Sequence, residues 1–257
     1  MIKAVFFDVD GTLVSHKSKS VPESAKEALE CLKKKGIKVF LSTGRHIHEL
    51  NNMPTTGIEF DGYVLLNGQI ALDEKQNMIF SHPFEKEDVE GLLEIFHAKE
   101  YPFVLVNKEG HYMNYVNEVV ETALAGVSTP IPSIRDYKGE MLYQATVFIP
   151  PEEDETFIAK LPKGCKMARW GSHGVDIIAV EGGKAVGMKF FGELLGILPE
   201  EMMAFGDAQN DMDMIEYAGI GIAMGNGEEE VKQIADYVTT DVDDNGILSA
   251  LQKFGML

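Results

Sequence analysis

Hydrophobic residues recur along this chain in two rhythms, and the places where the rhythm changes divide it. Residues 3–7, KAVFF, form a short apolar run that stops at Asp8. The runs IKVFLS (37–42) and GYVLL (62–66) are similar, and they stop at Thr43-Gly44-Arg45 and Asn67-Gly68. Short unbroken apolar runs closed by turn residues predict strands buried on both faces. Between the first two, Ala25, Ala28, Leu29 and Leu32 fall at i, i+3, i+4 and i+7, with Pro22 ahead of them and Gly36 behind. That spacing predicts an amphipathic helix with its start and stop signals in place. After Gly182-Gly183 the same alternation returns. It predicts a helix over about 184–195 with Val186, Phe190 and Leu194 on one side, and a strand MMAF (202–205) running into Gly206-Asp207. A helix, a strand GIGIAM (219–224), a helix carrying Val231, Ile234 and Ala235, and a last helix from about 246 follow.

The middle of the chain reads differently. An amphipathic helix over 85–98 (Val89, Leu92, Leu93, Phe96) precedes strand-like segments at 102–106 and 110–115. Tyr143, Ala145, Val147 and Ile149 alternate at period two, as in a strand with one covered face. A short helix near 152–160 and strands at 165–170 and 175–180 complete the module. The expected fold class is therefore α/β: a Rossmann-like parallel-sheet core formed by residues 1–82 and 183–257, interrupted by an inserted α+β domain over 83–182. Ligands of such sheets bind beyond the carboxyl ends of the strands. Asp8, Thr43, Asn67 and Asp207 all follow strands directly, so chain order alone gathers them on one rim.

Composition narrows the partners. The formal net charge of −18 and the pI near 4.7 disfavour nucleic acid and anionic membrane surfaces. The same field repels a phosphate ester, so a phosphate site here needs cations close by. No apolar run approaches the roughly 20 residues of a membrane span, and a carboxylate interrupts the N-terminus before a signal-peptide core forms. Cys31 and Cys165 match no metal or redox spacing, and Cys31 falls in a helical pattern, where a buried thiol acts as a small hydrophobe. A reducing, cytoplasmic location is expected. The sequence is silent on oligomeric state.

The acidic residues on the rim carry the chemistry. Asp8 and Asp10 are followed by Gly11 and Thr12, which taken alone is an ordinary turn. A calcium loop is excluded, because Leu13 and Lys19 stand where its glycine and glutamate belong. A second cluster, Asp207, Asn210 and Asp211, follows another buried strand. Carboxylates from two such clusters repel one another unless a cation lies among them, and a few hard oxygen ligands suit Mg²⁺. The remaining candidates have plain alternatives. Lys184 alone reads as a solvated lysine, and Ile178 and Ala185 break any nucleotide P-loop around it. Thr43 and Gly44 serve equally to cap a helix. His46 and His48, two apart, do not share a helical face, while Trp170 and the methionines are expected in the core.

Together, FFDVDGTL (6–13), STGR (42–45), Lys184 and GDAQND (206–211), in this order, resemble the four signature motifs of the haloacid dehalogenase (HAD) superfamily. The long insertion resembles the type 2 cap of its Cof-like phosphatase group. The resemblance implies that Asp8 is the nucleophile and a Mg²⁺ ligand. Asp10 would be the general acid–base, with its main-chain carbonyl on the metal. Thr43, Gly44, Lys184 and Asn210 would bind the substrate phosphate, Asp207 would complete the metal ligands, and Asp211 would order the groups behind them. It implies a Mg²⁺-dependent phosphatase for small phosphorylated metabolites, sugar phosphates first, working through an aspartyl-phosphate. Arg45 and the Asn67-Gly68 turn are rim candidates for substrate contact. A phosphomutase on the same scaffold and a non-enzymatic ligand-binding regulator are the alternatives.

Overall fold

In the computed structural model, which describes residues 1–127 and 129–257 (of Asn51, the backbone alone), the first apolar run is a strand, β1 (Ala4–Phe7), buried throughout. Helix α1 (Glu23–Lys34) buries Ala25, Ala28, Leu29 and Leu32, the stripe that its spacing predicts. Strands β2 (Lys38–Ser42) and β3 (Gly62–Leu65) continue the parallel order, with Ala4 opposite Lys38 and Phe40 opposite Gly62. A 3₁₀ helix over Ile47–Asn52, rather than an α-helical crossover, lies between them. The sheet then departs from a purely parallel pattern. Strands β4 (Ile70–Asp73) and β5 (Met78–Ser81) run antiparallel to their neighbours. The connections 66–69 and 74–77 are too short for a crossover and permit only hairpins.

The chain divides into two compact units, Met1–Ser81 with Gly183–Leu257, and His82–Gly182. The second unit comprises α2 (Lys86–Ala98), β6 (Phe103–Asn107), β7 (Gly110–Met113), α3 (Glu118–Gly126), β8 (Ser133–Ile134), β9 (Leu142–Phe148), α4 (Asp154–Ile158), β10 (Cys165–Arg169) and β11 (Gly174–Ala179). Its sheet has the order β10-β11-β9-β6-β7-β8. Leu92, Ile95 and Phe96 of α2 and Phe157 of α4 pack with Phe103, Leu105, Ala145, Val147, Val175 and Ile177 in one core. The single covered face expected for β9 is incomplete as a description. Gln144 and Thr146, which alternate with the core residues, are buried as well, so polar residues occupy the second face. Helix α3 and the two-residue strand β8 have no counterpart among the elements that the periodicity predicts. Trp170 is half-buried and Met141 exposed, so neither is core, and Cys31 is only half-buried.

The first unit resumes with α5 (Lys184–Leu195), β12 (Met202–Gly206), α6 (Met212–Tyr217), β13 (Ile220–Ala223), α7 (Glu229–Ile234), β14 (Tyr237–Val238) and α8 (Gly246–Lys253). Its eight strands lie in the order β14-β13-β12-β1-β2-β3-β4-β5. β1 is therefore paired in parallel with β12 on one side and β2 on the other. Helix α5 presents a different face from the expected one. Gly187, Met188, Phe191 and Gly192 are buried, Val186 and Phe190 are intermediate, and Leu194 is exposed. The glycines decide the choice: a Cβ on Gly187 would lie 2.4 Å from Val64, so only the glycine face can approach the sheet this closely. Among the described residues no helix is long and apolar enough to cross a membrane.

Three rings hold α5 to the sheet. Phe6 and Phe40 stack at 4.6 Å between centroids, and Phe191 packs against Phe40 at 4.5 Å. Gly62 leaves the room, since a Cβ there would lie 2.5 Å from the Phe191 ring. Aromatic burial of this kind is among the costliest to remove. Phe191→Ala is expected to lower the unfolding free energy by about 3–5 kcal/mol in a urea titration. A loss below about 1 kcal/mol would mean that this cluster does not anchor the helix.

Candidate active site

The parallel pairing of β1 with β12 brings two acidic segments side by side. Phe7 is opposite Phe205, and Asp8 N donates to Phe205 O at 3.0 Å, so Asp8 and Asp207 leave adjacent strand ends. Gly11 makes the approach possible. It has φ +88°, and a Cβ there would lie 2.2 Å from Asp207 Oδ2. Thr12 Oγ1 donates to Asp207 Oδ1 at 3.1 Å, fixing one oxygen of that carboxylate. Carboxylate oxygens of Asp8, Asp207 and Asp211 all lie within 4.8 Å of one another.

Lys184 joins this group. As the first residue of α5 it has no solvent exposure, and Ala185 N donates to Asp213 Oδ2 at 3.1 Å beside it. Lys184 Nζ donates to Asp8 Oδ1 at 2.6 Å and also to Asp211 Oδ1. Asp211 spends its second oxygen on the backbone N–H groups of Asp207 (2.9 Å) and Ala208 (3.1 Å), so its carboxylate is fully committed to protein donors. It stands behind the cluster and ties the β12–α6 loop together.

The charge balance is uneven. Three carboxylates share one directly bonded ammonium, and the guanidinium of Arg45, which also feels Asp8, is taken up by Asp10 and Glu49, so among the described residues the cluster holds an excess of acid. Burial, then the Asp211 charge, push the Asp8 carboxyl up to about 7, with Lys184 pulling the other way. Burial, then Asp8 and Asp211, push Asp207 well above the carboxylate range. Lys184 moves oppositely: burial works against its charge, but the carboxylates of Asp211 and Asp8 outweigh it and hold the ammonium above the usual lysine value. A divalent cation matches both the missing charge and the hard oxygen donors. Asp8 and Asp207 are suited to hold it, since each has an oxygen that accepts no hydrogen bond from the described residues.

The other predicted residues lie around this cluster. Thr43 is buried just past β2; its N–H donates to Val64 O (2.8 Å) and its hydroxyl oxygen accepts from Arg45 N (3.2 Å), leaving the hydroxyl proton to donate elsewhere. Gly44 lies between them in the same loop. No α-helix follows for this pair to cap. The 3₁₀ helix there is capped by His46, whose Nδ1 accepts from His48 N, and whose N–H donates to Glu49. The two imidazoles lie 4.9 Å apart, so the expectation that they diverge, which assumed an α-helix, does not hold.

Asp10 points to a partner that sequence spacing does not reveal. Arg45 grips it with two bonds, Nε to Oδ2 and Nη2 to Oδ1, both 2.7 Å. Burial opposes the Arg45 charge, but Asp10, with Glu49 beyond it, holds the guanidinium above its ordinary range. Asn210 donates from Nδ2 to Asn67 Oδ1 at 3.1 Å. One further residue has no sequence signal beyond its place after a strand end. Asn226 donates to Gly11 O and accepts from Val242 N, both at 2.8 Å, and so holds the turn that Gly11 makes.

Comparison with known proteins agrees with this geometry. The model of the haloacid dehalogenase-like hydrolase family matches residues 5–251. The chain is 32% identical over 259 residues to YkrA of Bacillus subtilis (strain 168), a phosphatase by name, covering 99% of this chain and 98% of that one. Among solved structures, BT1666 from Bacteroides thetaiotaomicron, described among the phosphatases of the HAD superfamily, superposes with a TM-score of 0.91 at 30% identity. It covers 100% of this chain and 96% of its own. The HAD subclass IIB sugar phosphatase BT4131 gives 0.90 at 32% identity, covering 99% and 100%. A buried lysine bonded to the strand-end Asp8 and to Asp211, a matching family model over nearly the whole length and near-complete structural overlap lead to one assignment: the chain belongs to the haloacid dehalogenase-like hydrolase family.

Proposed function

We propose that this hydrolase is a Mg²⁺-dependent phosphatase that removes phosphate from small metabolites, sugar phosphates foremost, through an aspartyl-phosphate on Asp8. One observation carries the reading: Lys184 Nζ sits 2.6 Å from Asp8 in a buried cluster that holds more carboxylates than ammonium groups. A carboxylate attacking a phosphate faces strong repulsion, and preorganised positive charge offsets it. Asp8 supplies the attacking oxygen, while Lys184 neutralises charge shared between it and the phosphoryl group. Thr43, Gly44 and Asn210 donate to the phosphoryl oxygens. Asp8, Asp207 and the Asp10 carbonyl would hold Mg²⁺, which would supply Lewis-acid stabilisation of the charge on the transferring group. Asp10 gives a proton to the leaving oxygen, then takes one from the water that attacks the aspartyl-phosphate. Arg45 engages both Asp10 oxygens, so Asp10 reaches the leaving oxygen only when that grip loosens.

The unit His82–Gly182 is assigned as the cap, which selects the substrate. A polar cluster on its sheet favours reading the ligand as polyhydroxylated. Thr146 Oγ1 and Trp170 Nε1 both donate to Asp176 Oδ1, at 2.9 and 3.1 Å, with buried Gln144 on the same strand as Thr146. Convergent hydrogen-bonding groups beside an aromatic ring suit a sugar. The 32% identity to a sugar phosphatase points the same way.

Asp8→Asn removes the nucleophile and is expected to lower Mg²⁺-dependent release of orthophosphate from sugar phosphates by about 10⁴-fold or more. Turnover within tenfold of the unaltered protein would exclude Asp8 as nucleophile. Chelation with EDTA should abolish turnover, and added Mg²⁺ should restore it. Stability should follow the carboxyl shifts. Asp8 has a folded value near 7 against 3.8 unfolded, so the folded metal-free chain binds more protons in that window. Stability therefore falls as pH rises from about 4 to 7, by on the order of a few kcal/mol. In melting curves of EDTA-treated protein, Tm should drop between pH 5 and 8, and Mg²⁺ should raise it more at pH 8. An equal Mg²⁺ effect at both values would show that these carboxylates do not hold the ion.

A further inference from the structure

The turn between β3 and β4 has an unusual backbone and an unusual set of neighbours. Leu66, Asn67 and Gly68 all have positive φ, +50°, +50° and +88°. Asparagine and glycine tolerate this region, whereas a leucine there is strained, and such strain persists only where surrounding contacts impose it. The contacts come from three separate segments that carry proposed phosphate-binding groups. Asn67 N donates to Thr43 O at 3.1 Å, and Leu66 N to Arg45 O at 3.2 Å. Gly68 lies flat against the residue preceding Lys184; a Cβ there would be 1.8 Å from Gly183 O. The Asn67 side chain, almost fully buried, accepts from Asn210 Nδ2 at 3.1 Å.

We infer that Asn67 is a positioning residue that fixes the orientation of the Asn210 amide for phosphate binding; the inference rests on the phosphatase reading given above. An asparagine amide has a donor end and an acceptor end of nearly equal size. Phosphoryl oxygens only accept, so an amide free to rotate would present its carbonyl oxygen to them for part of the time. The Asn67 carbonyl admits only the donor end of Asn210 as its neighbour. It takes one N–H and leaves the other, with its direction set, for the ligand. The left-handed backbone places that carbonyl, which explains why the turn keeps a strained leucine beside it. The same turn is fastened to the Thr43 loop and abuts Gly183, so the groups meant to surround one phosphate share a single backbone reference.

Asn67→Gly removes the side chain while allowing the left-handed conformation without strain. With Mg²⁺ and p-nitrophenyl phosphate, kcat/KM should fall about 10–100-fold, as losing a partner that orients a binding group does. The inhibition constant for orthophosphate should rise with it. Because Asn67 acts through Asn210, the pair Asn67→Gly with Asn210→Ala should be no worse than Asn210→Ala alone. Losses that multiply, or an unchanged Asn67→Gly protein, would overturn the inference. A second readout needs no turnover. The side-chain amide pair of Asn210, assigned in ¹H–¹⁵N spectra by its disappearance in Asn210→Ala, should shift in Asn67→Gly and stay hydrogen-bonded in Asn67→Asp, which keeps an acceptor oxygen. Identical Asn210 signals in the unaltered and Asn67→Gly proteins would overturn it. A protein without Mg²⁺-dependent turnover would refute the phosphatase reading, while these spectra would still decide whether Asn67 orients Asn210.

Discussion

A lysine ammonium fully removed from solvent needs anionic partners, and Lys184 finds two, Asp8 and Asp211, from opposite ends of the sequence. An unpaired charge at such a depth costs several kcal/mol, and so does each carboxylate. The arrangement over-corrects: three acids surround one base. Much of the local structure serves to hold that imbalance in place. The sheet sets β1 beside β12, Gly11 lets the two acidic loops touch, Thr12 and the backbone donors before Asp211 tie off individual oxygens, and the Phe6–Phe40–Phe191 cluster keeps the start of α5 from drifting. A fold that gathers like charges on rigid strand ends and leaves them under-neutralised is organised for a charged guest.

What the sequence makes legible follows from local causes. Asp8 and Asp207 end short apolar runs, and a parallel α/β sheet brings such ends to one rim, so their convergence needs no coordinates. Lys184 is harder. A lysine at a helix start is ordinary, and its burial depends on which side of α5 meets the sheet. Val186, Phe190 and Leu194 make as good an apolar stripe as Met188 and Phe191, and the close fit at Gly187 and Gly192 decides between them. Periodicity registers side chains that are present, not the advantage of one that is missing.

The remaining gaps have a similar origin. The β4–β5 hairpin is hidden because its strands are four residues each, β4 buried almost throughout and β5 alternately half-buried and exposed, too short for either to carry a periodic signal. Arg45 reaches Asp10 across 35 positions, and a long flexible side chain gives no spacing by which its partner is foretold. The close approach of His46 and His48 follows from a 3₁₀ turn, which an α-helical reading of the segment does not anticipate. Asn67 and Asn226 act through single amide groups on turns, and their partners become apparent only when distant loops are placed together.

The second unit leaves and rejoins the first at neighbouring points. Ser81, the last core residue before it, pairs with Ile70, and Gly183, the first after it, lies against Gly68, two positions earlier on the same hairpin. A hundred-residue excursion is thus anchored within one small patch of the scaffold. Its length and composition can drift over generations without disturbing a single strand partner in the larger sheet. An insertion so placed adds chain to the fold without altering the pairing of β1 with β12, on which the acidic cluster depends.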